Sequence, residues 1–224
     1  HYTTNSIWEW LSLLNVDQKF NVEQIPLDKM RNWQFDDKSG DLKHDSGGFF
    51  SIRGLEVQTN WGDVNYWSQP IINQPEIGII GIITKKINGI LYFLLQAKAE
   101  PGNINTYQLS PTVQATRSNY MQLHGGKSTL YLEYFTKDTV AEVLIDQLQS
   151  EQGARFYHKR NRNIIIRIPD NYDITLGPNH RWMTLGQIIR LSQKSNILNM
   201  DTRSVISCIS YEPENITSLS SINE

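Results

Sequence analysis

Apolar positions recur along this chain in two rhythms, and each predicts a different kind of element. In residues 6–14, Ile7, Trp8, Trp10, Leu11 and Leu14 fall at helical spacing behind Ser6, whose hydroxyl can cap free N–H groups; this predicts a short N-terminal helix. From Phe20 to about Asn60 the apolar runs are short and alternating. They are broken by Asp37-Lys38-Ser39-Gly40 and by Gly47-Gly48, the pattern of small antiparallel strands joined by turns. This stretch is expected to form an accessory sheet. The centre carries a sharper signal. The continuous apolar runs 78–83 and 90–95 flank Asn88-Gly89, a dipeptide suited to the positive φ angles of a tight hairpin turn. Unbroken apolar runs imply strands covered on both faces.

Beyond the hairpin, residues 139–152 read as a helix. Thr139 and Glu142 form a capping-box pair, Val140, Val143, Leu144 and Leu148 trace one stripe, and Gly153 supplies a stop. Residues 163–168 read as a strand. Thr184 and Gln187 make a second capping box opening a helix to about Gln193, and Asp201 or Thr202 can start a last helix ending near Cys208. After Tyr211 the chain is polar and rich in Ser and Asn, as expected of a loose tail. There is no internal repeat. The order hairpin, helix, strand, helix implies an α+β fold, a mixed β-sheet flanked by helices. Three regions are expected: 1–60 with the helix and accessory strands, 61–210 as the main unit, and 211–224 as the tail.

Composition narrows the possibilities. With 224 residues and 39% hydrophobic content the chain can bury a core. It has no apolar run of eighteen residues and no charged-then-apolar leader, so neither a membrane span nor a signal peptide is expected and the chain reads as cytoplasmic. His1 in place of methionine suggests a trimmed N-terminus. Cys208 is the one cysteine, which rules out an internal disulfide, and in its apolar run it reads as core. A net charge of −2 argues against a nucleic-acid-coating protein, so any anion site must be local.

Candidate chemistry gathers in a few places. Two proline-fixed segments, 67–76 and 96–103, flank the hairpin, and a third, 108–120, carries many uncharged hydrogen-bonding groups, a composition suited to sugar hydroxyls and a base edge. Arg155, Lys159, Arg160, Arg162 and Arg167 place five cations in thirteen residues with His158 among them. Arginine's planar fork matches phosphate oxygens, so a diphosphate is the natural small ligand for such a cluster, the alternative being a solvated basic turn. His124 and His158 can titrate near neutrality, and Lys98, Glu100, Tyr120 and Glu151 are further acid-base candidates. No His-x-x-x-His pair, paired aspartates, glycine-rich phosphate loop or Gly-x-Ser-x-Gly appears, so no metal site, cofactor or serine nucleophile is expected.

Five motifs in order, WSQPIINQPEIG (67–78), QAKAEPGN (96–103), LSPTVQATRSNY (109–120), QSEQG (149–153) and HKRNRN (158–163), together with Asn199-Met200-Asp201, resemble the nucleoside-diphosphate-hexose 2,3-dehydratases of deoxysugar biosynthesis. The similarity runs from about Trp8 to Cys208. It implies a Nudix-like unit, usually present twice in such proteins and here once. Aligned on Gly153, a Nudix box would find Asp138, Leu148 and Glu151. It would find Asp146, Gln147 and Ser150 where an arginine and two glutamates belong, so most magnesium ligands are missing and hydrolysis of a diphosphate is disfavoured.

The resemblance implies cofactor-free elimination of the C2 hydroxyl from a nucleoside-diphosphate 4-keto-6-deoxyhexose, with dTDP the expected carrier, to give a 3,4-diketo-2,6-dideoxy product. Three roles follow: a base at C3, an acid at C2 and a donor at the C4 oxygen. Glu151 or His158 is expected as base, Tyr120 or His124 as acid, and Lys98 or Asn119 at the carbonyl. Arg117, Lys159, Arg160 and Arg162 are expected on the diphosphate and Trp67 against the base, with Gln69, Gln74, Glu100, Gln114 and Gln152 completing the substrate site. Expected partners are the sugar nucleotide, a second copy in a homodimer, and an NADPH-dependent 3-ketoreductase that consumes the product. Non-catalytic sugar-nucleotide binding and Nudix-type pyrophosphate hydrolysis are the alternatives, and RNA binding is the rival outside the family.

Overall fold

The computed structural model describes residues 2–17, 19–116, 129–136 and 140–210. Two sheets organise the chain. The first is four-stranded and antiparallel, in the order β1 (Trp33–Phe35), β2 (Leu42–His44), β3 (Ser51–Gln58) and β4 (Tyr66–Asn73). Its turns fall where the sequence placed them, with Gly40 and Gly47 at φ 71° and 66°, values that glycine adopts at no steric cost. Most of the proline-fixed segment 67–76, expected as a loop, instead extends this sheet within β4, which pairs with β3 along its full length across residue 60.

The second sheet is mixed and seven-stranded. Its path runs β11 (His180–Thr184), β6 (Ile90–Ala99), β5 (Gly78–Ile87), β10 (Arg160–Arg167), β9 (Glu142–Ser150), with β7 (Tyr107–Ser110) beside β6 and β8 (Val113–Ala115) beside β5. Asn88 and Gly89, at φ 51° and 80°, close the β5–β6 hairpin as the dipeptide predicts. Strands β5 and β10 are parallel, with Asn161 opposite Gly78 and Arg167 opposite Thr84. The expected α+β class and mixed sheet are both present.

The side-chain alternation of a strand sorts the core into two layers. Ile80, Ile82, Phe93, Leu95 and Ile165 face α1 (Thr4–Val16), α3 (Leu185–Ser192) and α4 (Met200–Ser207), meeting Ile7, Leu11, Ile188, Leu191, Val205 and Ile206. Ile79, Ile83, Leu94, Ile164 and Ile166 face the other way, against the short helix α2 (Glu133–Thr136), which contributes Phe135. Helix α1 begins two residues earlier than expected. Thr3 caps it by accepting from the Ser6 N–H at 3.1 Å, so Ser6 is a capped residue rather than the cap. Helix α3 carries the predicted capping box of Thr184 and Gln187. Helix α4 is capped by Asn199, not by Asp201 or Thr202: the Asn199 side chain accepts from the Thr202 N–H at 2.8 Å. Cys208, expected in the core, is half-buried at the end of that helix.

The largest departure lies in residues 139–152, expected as a helix. Residues 142–150 are strand β9, antiparallel to β10 from Glu142 opposite Arg167 to Ser150 opposite Arg160, with one bulge near Leu144. Here long-range pairing overrides the helical stripe, because β10 would otherwise expose a row of unpaired backbone groups. Thr139 and Asp138 lie outside the described residues. The segment aligned to a Nudix helix is therefore a strand. Among the described residues no helix is long and apolar enough to cross a membrane.

Candidate functional site

The loop from Glu151 to Lys159 joins β9 to β10 and is clipped to the accessory sheet. Ile72 donates to the Arg155 carbonyl and accepts from the Tyr157 N–H, both at 2.9 Å, and Gln69 Nε2 donates to the Ala154 carbonyl at 3.0 Å. Glu151 and Lys159 are also joined through the backbone, the Glu151 N–H donating to the Lys159 carbonyl at 3.0 Å. The two residues thus enter the same space from opposite ends of one loop.

That space is a cavity of about 370 Å3, bounded by the start of β5, the ends of β6 and β8, the 151–159 loop and the start of α4. Six expected site residues line it: Gln74, Lys98, Glu100, Gln114, Glu151 and Lys159. Four residues that sequence reasoning did not select also line it: Asn103, Asn161, Asn199 and Asp201. The polar groups form an ordered network. Lys98 Nζ and Gln114 Nε2 both donate to Glu100 Oε1 at 3.1 Å, and Asn199 Nδ2 donates to Ser110 Oγ at 2.8 Å and to Gln114 Oε1 at 3.3 Å. Asn161 Nδ2 donates to Glu151 Oε1 at 2.6 Å, and Lys159 Nζ donates to the Glu76 carbonyl.

Burial gives two of these groups unusual acidities. The Asp201 carboxyl is pushed up from its ordinary 3.8 to about 6, first by burial and then by the negative charges of Glu151 and Glu100, against the opposing pull of Lys98 and Lys159. Burial pushes the Lys159 ammonium down, while Glu151, Glu76 and Asp201 hold it up. One carboxyl of this cavity therefore keeps its proton to a higher pH than an ordinary aspartate does.

The other expected residues are placed differently. His158 and Arg160 line an adjoining cavity of about 620 Å3 that shares Glu151, Phe156 and Lys159 with the first. His158 holds φ 50° and packs its ring edge-on to Tyr157. Gln152 borders a third cavity, of about 240 Å3, together with Glu151, Asn161, Asn163 and Asp201. Arg162, expected on a diphosphate, instead grips Asp146 with two hydrogen bonds, 2.8 and 2.6 Å, and Arg167 pairs with Glu142 at 2.9 Å. The five-cation run is thus divided: Lys159 and Arg160 border the cavities, while Arg162 and Arg167 are paired with acids of β9. Trp67 donates to Gln69 at 2.9 Å; neither lines the main cavity, and the Gln69 amide serves to hold the 151–159 loop. Arg117, Asn119, Tyr120 and His124 lie outside the described residues. Among the described residues no group of three or more His, Cys, Asp or Glu side chains is arranged to hold a metal ion.

The signal that could have found Asn161 lies in β10 itself. Asn161 and Asn163 share the face of buried Ile165, and polar side chains on a buried strand face require partners or a ligand.

A mixed sheet with a polar cavity walled by carboxyls, lysines and amides is the candidate small-molecule site of this chain, and its groups are of the kind acid-base chemistry uses. The family model for NDP-hexose 2,3-dehydratase matches residues 4–209, and the chain belongs to that family. It is 48% identical over 202 residues, 90% of its own length and 41% of the relative's, to a dTDP-4-dehydro-6-deoxy-alpha-D-glucopyranose 2,3-dehydratase of Saccharopolyspora spinosa. It is 45% identical over 214 residues, 93% of its length and 45% of the relative's, to a protein of the same name from Amycolatopsis orientalis. The chain spans less than half the length of these curated relatives. Among solved structures it is similar to an ADP compounds hydrolase, at TM-score 0.42 and 10% identity over 71% of this chain and 83% of that one. It is also similar to a Nudix hydrolase of M. smegmatis, RenU, at TM-score 0.36 and 12% identity over 69% and 97%. Likeness of that degree carries nothing for the site.

Proposed function

We propose that the 370 Å3 cavity binds a nucleoside-diphosphate 4-keto-6-deoxyhexose, dTDP-linked as in the names of the curated relatives, and eliminates its C2 hydroxyl, making the chain a carbon–oxygen lyase. The observation that carries this reading is the convergence of Glu151, Asp201, Lys98 and Lys159 on one small polar space. The C3 proton of such a sugar lies next to the C4 carbonyl, so one base can remove it if the developing oxyanion is stabilised. Glu151 takes the role of base. Asn161 Nδ2 donates to its Oε1 at 2.6 Å and the Gln152 N–H to its Oε2 at 3.4 Å, which fixes the carboxylate while each oxygen keeps a lone pair for the proton. Lys98 supplies the donor at the C4 oxygen. The diphosphate lies across Lys159 towards His158 and Arg160 in the adjoining cavity. The enolate pair then expels the C2 oxygen, and the resulting enol gains a proton at C2 to become the 3,4-diketone.

This reading brings with it a cytoplasmic setting and an NADPH-dependent 3-ketoreductase to consume the reactive diketone. It also includes a homodimer, supported by the exposed apolar side chains Val143 and Leu148 on the edge strand β9. The test is incubation of the chain with dTDP-4-keto-6-deoxyglucose in deuterated water, with a 3-ketoreductase and NADPH as trap. A trapped 2-deoxy sugar nucleotide carrying deuterium at C2 is the expected product; unchanged substrate despite measurable binding would show a binding lobe without turnover.

A further inference from the structure

We propose that Asp201 is the catalytic acid that protonates the departing C2 oxygen, a role that rests on the dehydratase reading of the same cavity. Three carboxyl groups line that cavity, and two are committed. Glu100 accepts from Lys98 and Gln114, both at 3.1 Å, and Glu151 accepts from Asn161 at 2.6 Å. Both carboxyls thus already spend acceptor capacity on neighbouring donors. Among the described residues no hydrogen bond reaches the Asp201 carboxyl, although the residue is only 8% exposed. A carboxyl on a largely buried residue, open to the cavity and without a protein donor, is stabilised in its neutral form, which is itself a donor to a bound molecule.

The charged groups around it reinforce this. Glu151 and Glu100 face Asp201 with negative charge, and Lys98 and Lys159 oppose them; burial and the carboxylates prevail, raising Asp201 to about 6. Glu151 and Asp201 thus form a base and an acid in one cavity, distinguished by the amide that Glu151 has and Asp201 lacks. Asp201 also borders the 240 Å3 cavity, lined by Gln149, Gln152 and Asn163. Substrate takes the larger cavity, and the smaller one remains for the returning proton. The step balances. The C3–H pair becomes the C2=C3 bond, the C2–O bond breaks with its electrons on oxygen, and the Asp201 proton joins that oxygen to release water.

The deciding experiment compares two leaving groups in wild type and D201N, using dTDP-4-keto-6-deoxyglucose and its 2-deoxy-2-fluoro analogue. Fluoride departs without a proton, so its release needs the base but not the acid. Wild type is expected to eliminate both. D201N is expected to lose hydroxyl elimination by on the order of 10²–10⁴-fold while fluoride release stays within about tenfold. Loss of both reactions in a D201N chain that still binds dTDP, or loss of neither, would overturn the assignment. Wild type alone provides a second measurement should D201N not fold: kcat/KM for the hydroxyl substrate is expected to fall on the alkaline side, with no such limb for the fluoro substrate. A limb shared by both substrates would also overturn it. Wild type that eliminates neither group defeats the dehydratase reading as a whole, an outcome distinct from a defect confined to D201N.

Discussion

Strands β5 and β10 lie parallel and side by side, and their middles and their beginnings bury opposite kinds of groups. In the middle, Ile82, Ile83, Ile164, Ile165 and Ile166 are each at most 1% exposed and surrounded by apolar side chains. At the start, Gly78 is paired with Asn161, which is 8% exposed, and Asn163 follows at 1% with an unpartnered Oδ1. The degree of burial is nearly the same, but only the middle gains free energy from it. Apolar burial stabilises by about 25 cal/mol per Å2, whereas a buried polar group needs a partner merely to avoid a loss. One pair of strands therefore makes both the rigid core and the reactive cavity, and the core offsets what the cavity costs.

The largest expected effect comes from the core end. Ile82→Ala removes a fully buried side chain between β5 and the helices and should cost about 2–5 kcal/mol, read as a lowered denaturant midpoint with unchanged slope. Activity per folded molecule should persist, because Ile82 does not line the cavity. At the cavity end the sign reverses. The folded-state acidity of Asp201, raised from 3.8 to about 6, means that the folded protein holds this proton more tightly than the unfolded chain. Stability from this group is intact below about pH 4 and falls as pH rises towards 6, by an amount on the order of 3 kcal/mol at neutral pH. Asp201→Asn should therefore raise the denaturation midpoint at pH 7.5 and leave it nearly unchanged at pH 4. A variant equally stabilised at both pH values would show that the carboxyl's ionisation is not the cause.

The same contrast explains what could be read from the sequence. The β5–β6 hairpin was legible because its information is local: two apolar runs and an Asn-Gly turn. Strand β9 was not, because Val140, Val143, Leu144 and Leu148 satisfy a helical template while the decision lies with β10, more than ten residues onward. In the cavity, Lys98, Glu100 and Glu151 were selected for their charge. Asn161 and Asp201 were passed over because an amide in a basic run and an acid near a helix start usually face water, and only the packed α4 shows that they do not. Arg162 was placed on a phosphate because a run of cations is seen along the chain, whereas the Asp146 carboxylate that takes its guanidinium is on β9 and reaches it only through strand pairing.

Two glycines three residues apart on β5 give the smallest and most discriminating test. A Cβ on Gly81 would sit 2.5 Å from the Phe135 ring, inside the apolar layer, where the ring has little room to retreat; Gly81→Ala should cost about 1–3 kcal/mol. A Cβ on Gly78 would sit 2.8 Å from Asn161 Oδ1, the end of a side chain that can turn aside, so the stability cost of Gly78→Ala should be under about 1 kcal/mol. But Asn161 is the residue that holds Glu151, and a displaced amide releases the carboxylate from its fixed position. If Glu151 is the base, a misplacement near 1 Å should lower kcat by up to about 10²-fold with the thermal midpoint almost unmoved. Gly81→Ala should show the converse, a lowered midpoint with kcat per folded molecule preserved. Should Gly78→Ala turn over substrate at the wild-type rate, the contact between Asn161 and Glu151 would be packing alone, and the functional division between the two ends of the strand would lose its chemical half.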